Sequence, residues 1–122
     1  MKNILMIGIG GGVGSVARFL FQKLVHQFYP SVFPLGTFLI NMVGCLAIGF
    51  IWGLANRSSA FSEKWQLFLM AGLCGGFTTF SGFGLESVSL IKEERWSLLI
   101  FYAGGSVILG IAATLLGIRL TK

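Results

Sequence analysis

The chain has 122 residues, 55% of them hydrophobic and only 11% charged, with a mean hydropathy of +0.86, far from the roughly one-quarter charged residues of soluble domains. That composition belongs to an integral membrane protein and excludes an ordinary soluble enzyme or binding domain. A net charge of +5 would suggest nucleic acid in a soluble protein, but here the basic residues mark helix ends and lipid headgroups, and no nucleic-acid partner is expected.

In chain order, Asn3 to Ala17 is apolar after Lys2, is interrupted by Arg18, and resumes at Phe19, Leu20 and Phe21. A basic residue before a short apolar run that ends near Ser15 and Ala17 has some likeness to a signal peptide. The run is glycine-rich and continues to His26 without the polar start of a mature domain, so a first helix over residues 3–28 is the better reading. GIGGGVGS, residues 8–15, then lies inside a helix rather than after a strand, which is the wrong setting for a phosphate loop. A proline-containing turn, Tyr29 to Pro34, leads to a second helix over 35–55. A polar turn, Asn56 to Ser59, leads to a third over 64–92, and a charged corner, Lys92 to Arg95, leads to a fourth over 97–119. Leu35 to Ala55, Trp65 to Leu85 and Trp96 to Ile118 are free of charge, each reaching the roughly 20 residues that cross a hydrocarbon core. The expectation is an all-α membrane protein, one four-helix transmembrane domain over residues 1–122.

Cys45 and Cys74 fall within the spans, where small packing residues are expected rather than a disulfide or a metal site. His26 has no Cys, Asp or second His at ligand spacing. Without a Walker loop, zinc motif or catalytic triad, the chain is not expected to be an enzyme.

Four helices put the N-terminus, the second turn and the C-terminus on one side, with Lys2, Arg57, Lys64, Arg119 and Lys122. The other side carries Lys23, Lys92 and Arg95, joined by Arg18 if it snorkels that way. So near a tie fits two readings: a weak bias for N-in and C-in, or insertion in both orientations and pairing with an inverted copy. Gly8 and Gly12, Gly10 and Gly14, and Gly49 and Gly53 recur at i,i+4, the small-residue spacing that lets helices approach in lipid, so a dimer is expected.

Arg18 and Glu86 are the charges well away from the turns, and charge in a membrane marks functional candidates. For Arg18 the alternatives are snorkelling or a structural pair; Glu86 lies beyond the apolar part of its span, where a watery mouth would suit it. Asn41 sits mid-span, with Thr37, Gly44, Cys45 and Ile48 on its face. Its amide either glues helices together or offers a neutral donor to an anion.

The third span contains CGGFTTFSGFGLE, residues 74–86. Its glycines and its hydroxyls Thr78, Thr79 and Ser81 are poor material for a regular membrane helix. Phe77, Phe80 and Phe83 recur at every third residue, a spacing that drifts around a helix and is most often packing. Gly75-Gly76 before Thr78-Thr79 can relax the helix, and a break in the bilayer frees carbonyls and amides that must bind something. Carbonyl oxygens suit a cation, whereas phenyl edges and amide donors suit an anion. The span therefore reads as broken near its middle around an ion site.

Three segments carry a resemblance: GGVGSVARF (Gly11 to Phe19), GTFLINMVGC (Gly36 to Cys45) and CGGFTTFSGFGLE (Cys74 to Glu86). With the length and the four-span layout, they resemble the CrcB or Fluc family of fluoride channels over essentially the whole chain. The resemblance implies a dual-topology antiparallel homodimer in the cell inner membrane, with two pores that export fluoride passively and keep its cytoplasmic level below toxicity. The family's pore phenylalanines fall on Phe80 and Phe83 and its pore asparagine on Asn41, with Thr79 and Ser81 beside them and Arg18 and Glu86 at the mouths. A structural sodium ion, Na+, at the dimer centre would be held by the main-chain carbonyls of Gly75 and Thr78. A polar track on the fourth helix corresponds to Tyr102 and Ser106, but the next hydroxyl position is Gly110 here. Phe77 also departs from the family, since many relatives carry a smaller aliphatic residue there.

Fluoride is small and strongly hydrated, so a pore for it must replace water with donors while staying too narrow for chloride. The competing class is a small multidrug-resistance-type proton-coupled exporter, which shares the length and the four helices. That chemistry needs a carboxylate in the middle of the first helix, and this first helix has none. A non-transporting assembly subunit would leave Asn41 and the broken helix unexplained.

Overall fold

Inside a hydrocarbon layer each backbone N–H and C=O must be satisfied within the protein, which leaves a chain of this hydropathy little choice but long helices. The computed structural model, which describes residues 1–122, is helical throughout. Its four helices long and apolar enough to span a membrane are α1 (Lys2–Phe28), α2 (Leu35–Arg57), α3 (Glu63–Lys92) and α4 (Trp96–Arg119). Pro34 sits at the N-cap of α2, where a missing N–H does no harm, and Ser62 Oγ accepts from Trp65 N at the start of α3. Between α3 and α4 the chain reverses through Glu94, whose φ of 56° is left-handed. Arg95 N donating to the Leu90 carbonyl closes that turn at 2.9 Å.

The spans pack as two pairs, α2 along α4 and α1 along the N-terminal half of α3. Glycine sets both approaches. A Cβ on Gly10 would stand 2.6 Å from the Phe68 carbonyl oxygen, and one on Gly14 would collide with the Leu73 carbonyl and lie 2.8 Å from Phe77 N. Gly117 is crowded in the same way by Leu46 and Phe50, and Gly49 by the Thr114 carbonyl. Gly10, Gly14, Gly49 and Gly53 are thus consumed in contacts within the chain rather than held out for a partner, whereas Gly8 and Gly12 face open space. Backbones this close gain dispersion contacts that larger residues would forbid, the main source of helix affinity in lipid.

Two features of α3 depart from a regular helix. Leu67–Cys74 is π-helical, a widened ladder for which the uniformly apolar LFLMAGLC gives no sequence signal. Further on, helix stops after Phe77 and restarts at Phe80. Fifteen of 122 residues are buried, so most apolar side chains, such as Ile9, Val16 and Leu20 on α1 and Ile100, Ile108 and Ile111 on α4, point outward, as suits a solvent of lipid tails.

The glycine contacts make a direct prediction. Gly14→Val should destabilise the detergent-solubilised protein by about 1–3 kcal/mol through overpacking, read as a lower midpoint of thermal unfolding, while Gly8→Ala should leave the midpoint unchanged.

A candidate ion site at the break in the third helix

The interruption consists of two threonines in extended conformation, Thr78 at φ −82°, ψ 158° and Thr79 at φ −147°, ψ 117°. Gly75, by contrast, is regular helix at φ −62°, ψ −39°. The break expected over Gly75 to Thr78 therefore falls at its far end. Glycine permits a break without forcing one, and Gly76 is engaged in packing, its Cβ position blocked by the Gly11 carbonyl of α1. Threonine hydroxyls, which offer the backbone partners outside the helical ladder, take over. Thr78 Oγ donates to the Cys74 carbonyl at 2.9 Å and ends the first half. Thr79 Oγ accepts from Gly82 N at 2.9 Å and caps the second.

Asn41 of α2 completes the arrangement. Its Oδ1 accepts from Thr79 N at 2.9 Å, and its Nδ2 donates to the Thr79 carbonyl at 3.2 Å. The side-chain amide thus pairs with a peptide unit as a neighbouring strand would. Thr79 N–H, which a continuous helix would give to the Gly75 carbonyl, is turned toward α2. Both Asn41 readings meet here: the amide joins two helices, and one of its two N–H groups is left over on the wall of a cavity.

That cavity, about 360 Å³, is mostly apolar and is lined by Asn41, Cys45, Gly75, Thr78, Thr79, Phe80, Phe83 and Ser106 among others. Phe80 is 84% exposed, an unusual position for the aromatic at the start of a helix half. Its ring lies 5.8 Å from that of Phe83, and Phe83 lies 5.0 Å from Tyr102. Tyr102 is fully buried. Its hydroxyl and that of Ser106, one turn along α4, are buried without a hydrogen-bond partner, an arrangement that costs about 1–3 kcal/mol per group unless something binds there.

A second cavity, about 400 Å³, contains Ser15, Arg18, Gln22, Thr79, Ser81, Gly82 and Glu86. Arg18 and Glu86 thus line one space with Ser81, and Thr79 belongs to both cavities. Arg18 and the N-terminal end of the Phe80–Lys92 half of α3 both favour negative charge there. A polar chain beside this cavity was not anticipated from the sequence: Gln22 Nε2 donates to Thr37 Oγ at 3.0 Å, and Thr37 donates in turn to the Glu86 carboxylate. It ties α1, α2 and α3 together. Its signal was present in the spacing, since Thr37 lies one helical turn before Asn41 and Gln22 one turn after Arg18. Phe77 is accounted for by an edge-on contact with Phe21 of α1, centroids 6.1 Å apart and rings at 78°.

Four spans, one of them interrupted where it touches cavities with unspent donors, define a small membrane protein of the channel and transporter kind, because irregular backbone at membrane depth is tolerated where it lines a cavity. The chain belongs to the CrcB family: residues 5–118 match the family model described as CrcB-like protein, Camphor Resistance (CrcB). It is similar to a protein of Azobacteroides pseudotrichonymphae named fluoride-specific ion channel FluC, 42% identical over 122 residues that cover all of this chain and 98% of the relative. A protein of Nitratidesulfovibrio vulgaris with the same name is 41% identical over 118 residues, 97% of this chain and 95% of its own. One from Phocaeicola vulgatus is 42% identical over the full length of both.

The Asn41 pairing is open to a direct check. Asn41→Asp keeps the acceptor for Thr79 N but sets a carboxylate against the Thr79 carbonyl, so stability should fall by about 1–3 kcal/mol, seen as a lower unfolding midpoint in detergent. An unchanged midpoint would mean that the break is held by other contacts.

Proposed function

We propose that the protein is a fluoride channel that lets the ion leave the cytoplasm passively, down its electrochemical gradient, and so limits its toxicity. Near-full-length identity of about 40% to proteins named fluoride-specific ion channel carries this reading. Unpartnered hydroxyls beside the phenylalanine rings support it.

The chemistry of the walls suits fluoride. Its hydration must be replaced group by group, and here the replacements are neutral: the spare N–H of Asn41, the hydroxyls of Tyr102 and Ser106, with Thr79 and Ser81 nearby, and the positive edges of Phe80 and Phe83. Neutral donors compensate the ion without the deep trap that a fixed positive charge would make. Arg18 and Glu86, on the rim, tune the field at the mouth rather than the depth of the site.

The working unit in this reading is an antiparallel, dual-topology homodimer in the cell inner membrane with two pores, each lined by both chains. The near-balance of basic residues on the two sides supports inverted pairing, and the outward-facing Phe80 gives a ring to a second copy. A sodium ion at the dimer centre fits the residues present. The Gly75 carbonyl has lost its helical donor to Asn41, and the Thr78 carbonyl belongs to extended backbone; both are neutral oxygens of the kind a hard cation takes. Such an ion would supply a fixed positive charge beside the cavities.

Two measurements test these statements. Phe80→Ile and Phe83→Ile keep apolar bulk and remove the ring quadrupole, so fluoride efflux from proteoliposomes, followed with a fluoride electrode, should fall at least ~100-fold for each, a rise of about 2.7 kcal/mol in the barrier, with chloride efflux negligible throughout. Parent-like flux in both variants would make the rings packing only. For the inverted pairing, a cysteine added after Lys122 should react with a membrane-impermeant maleimide from both faces of the inner membrane; labelling from one face alone would show a single orientation.

A further inference from the structure

On α4 the buried, unpartnered hydroxyls of Tyr102 and Ser106 stand one turn apart. The next position on that face is Gly110, which has no side chain with which to continue the line. The space beside it is not vacant: a Cβ there would stand 3.5 Å from Cys45 Sγ and 3.6 Å from Met42 Cε, both from α2. Cys45 is a free thiol and lines the cavity that also contains Asn41, Phe80, Phe83 and Ser106. Where α4 lacks a group, α2 therefore presents one.

We propose that the Cys45 thiol supplies the hydrogen-bond donor that continues the Tyr102–Ser106 line past Gly110, making Cys45 a further anion-contacting residue of the pathway. The proposal rests on the fluoride-channel reading above. Other groups at this level do not serve. Met42 has a thioether, which carries no hydrogen to donate. Thr114, the next hydroxyl on α4, spends its proton on the Gly110 carbonyl at 3.0 Å. Cys74 lines the cavity but is only 5% exposed, behind the break. A neutral S–H in apolar surroundings is a compact, weak donor. It would hold fluoride less firmly than a hydroxyl, and ions leave a file of sites readily when each is shallow.

The test is fluoride efflux from proteoliposomes containing the full-length protein, with dimer content checked by size-exclusion chromatography. Cys45→Ala and Cys45→Val both remove the donor and should lower efflux about tenfold, the worth of one neutral hydrogen bond. Cys45→Ser restores a donor and should retain flux within about threefold of the parent. Packing alone predicts the opposite order, because valine suits an apolar wall better than serine. Moving the donor back to α4, in the double variant Cys45→Ala with Gly110→Ser, should recover most of the loss. If Cys45→Ala conducts like the parent, or Cys45→Ser falls as far as Cys45→Val, the thiol has no such role, while the channel reading stands. A parent that passes no fluoride would overturn both.

Discussion

The pairing of the Asn41 side-chain amide with the peptide unit of Thr79 is the constraint on which the site depends. A span that stops being helical exposes N–H and C=O groups to hydrocarbon, and leaving such a group unmet costs several kcal/mol. The amide meets one donor and one acceptor at once, so a single residue on α2 makes the interruption of α3 tolerable. Everything downstream follows from that. The second half of α3 starts at Phe80 with its rings beside the cavity, Thr79 becomes a wall shared by two cavities, and the Gly75 carbonyl is left without its helical partner.

Glycine and threonine divide the work around this point. Gly10, Gly14, Gly72 and Gly76 bring α1 and the first half of α3 into backbone contact, which holds that half still while the next two residues leave the helix. Threonine does the breaking because its hydroxyl can end one half and begin the other without help from water. The same economy is visible at the rim, where Gln22, Thr37 and Glu86 hand hydrogen bonds along a line through three helices. The half-buried Glu86 carboxylate is thereby given a donor inside the protein, which offsets part of the cost of removing it from water.

Much of this was legible in the sequence. Charge-free runs of sufficient length marked three of the helices and an apolar run continuing past Arg18 marked the first, while glycines and hydroxyls within the third marked the interruption, because membrane helices obey hydropathy more strictly than soluble ones obey any pattern. Asn41 was recognisable because an amide in mid-span must find a partner. Its partner was not recognisable, since Thr79 is 38 residues away and proximity across helices leaves no periodic trace. The break falls at the threonine end of the expected stretch for a related reason: Gly75 and Gly76 have the local freedom to break, but the contact of Gly76 with Gly11 keeps that end helical. Gly10 and Gly14 read as a dimerisation pattern, yet the sequence motif for close helix approach is the same whether the second helix belongs to the same chain or another. The π-helical stretch had no signal at all, its residues being apolar on every side.

That stretch, Leu67–Cys74, has a consequence for how such a chain tolerates change in length. A widened turn holds one residue more than an α-helical turn over the same rise, so it acts as slack in the thread between the start of α3 at Glu63 and the interruption at Thr78. Loss of a single residue within it could be absorbed by tightening to an α ladder, leaving Gly76, Thr78 and Thr79 in register with α1 and α2. A deletion of the same size after Phe80 would meet no such reserve, and every side chain beyond it would turn by about 100° about the helix axis. The two halves of one span thus differ in how far their sequence length is free to drift, the half before the cavities being forgiving and the half that bears the rings being fixed.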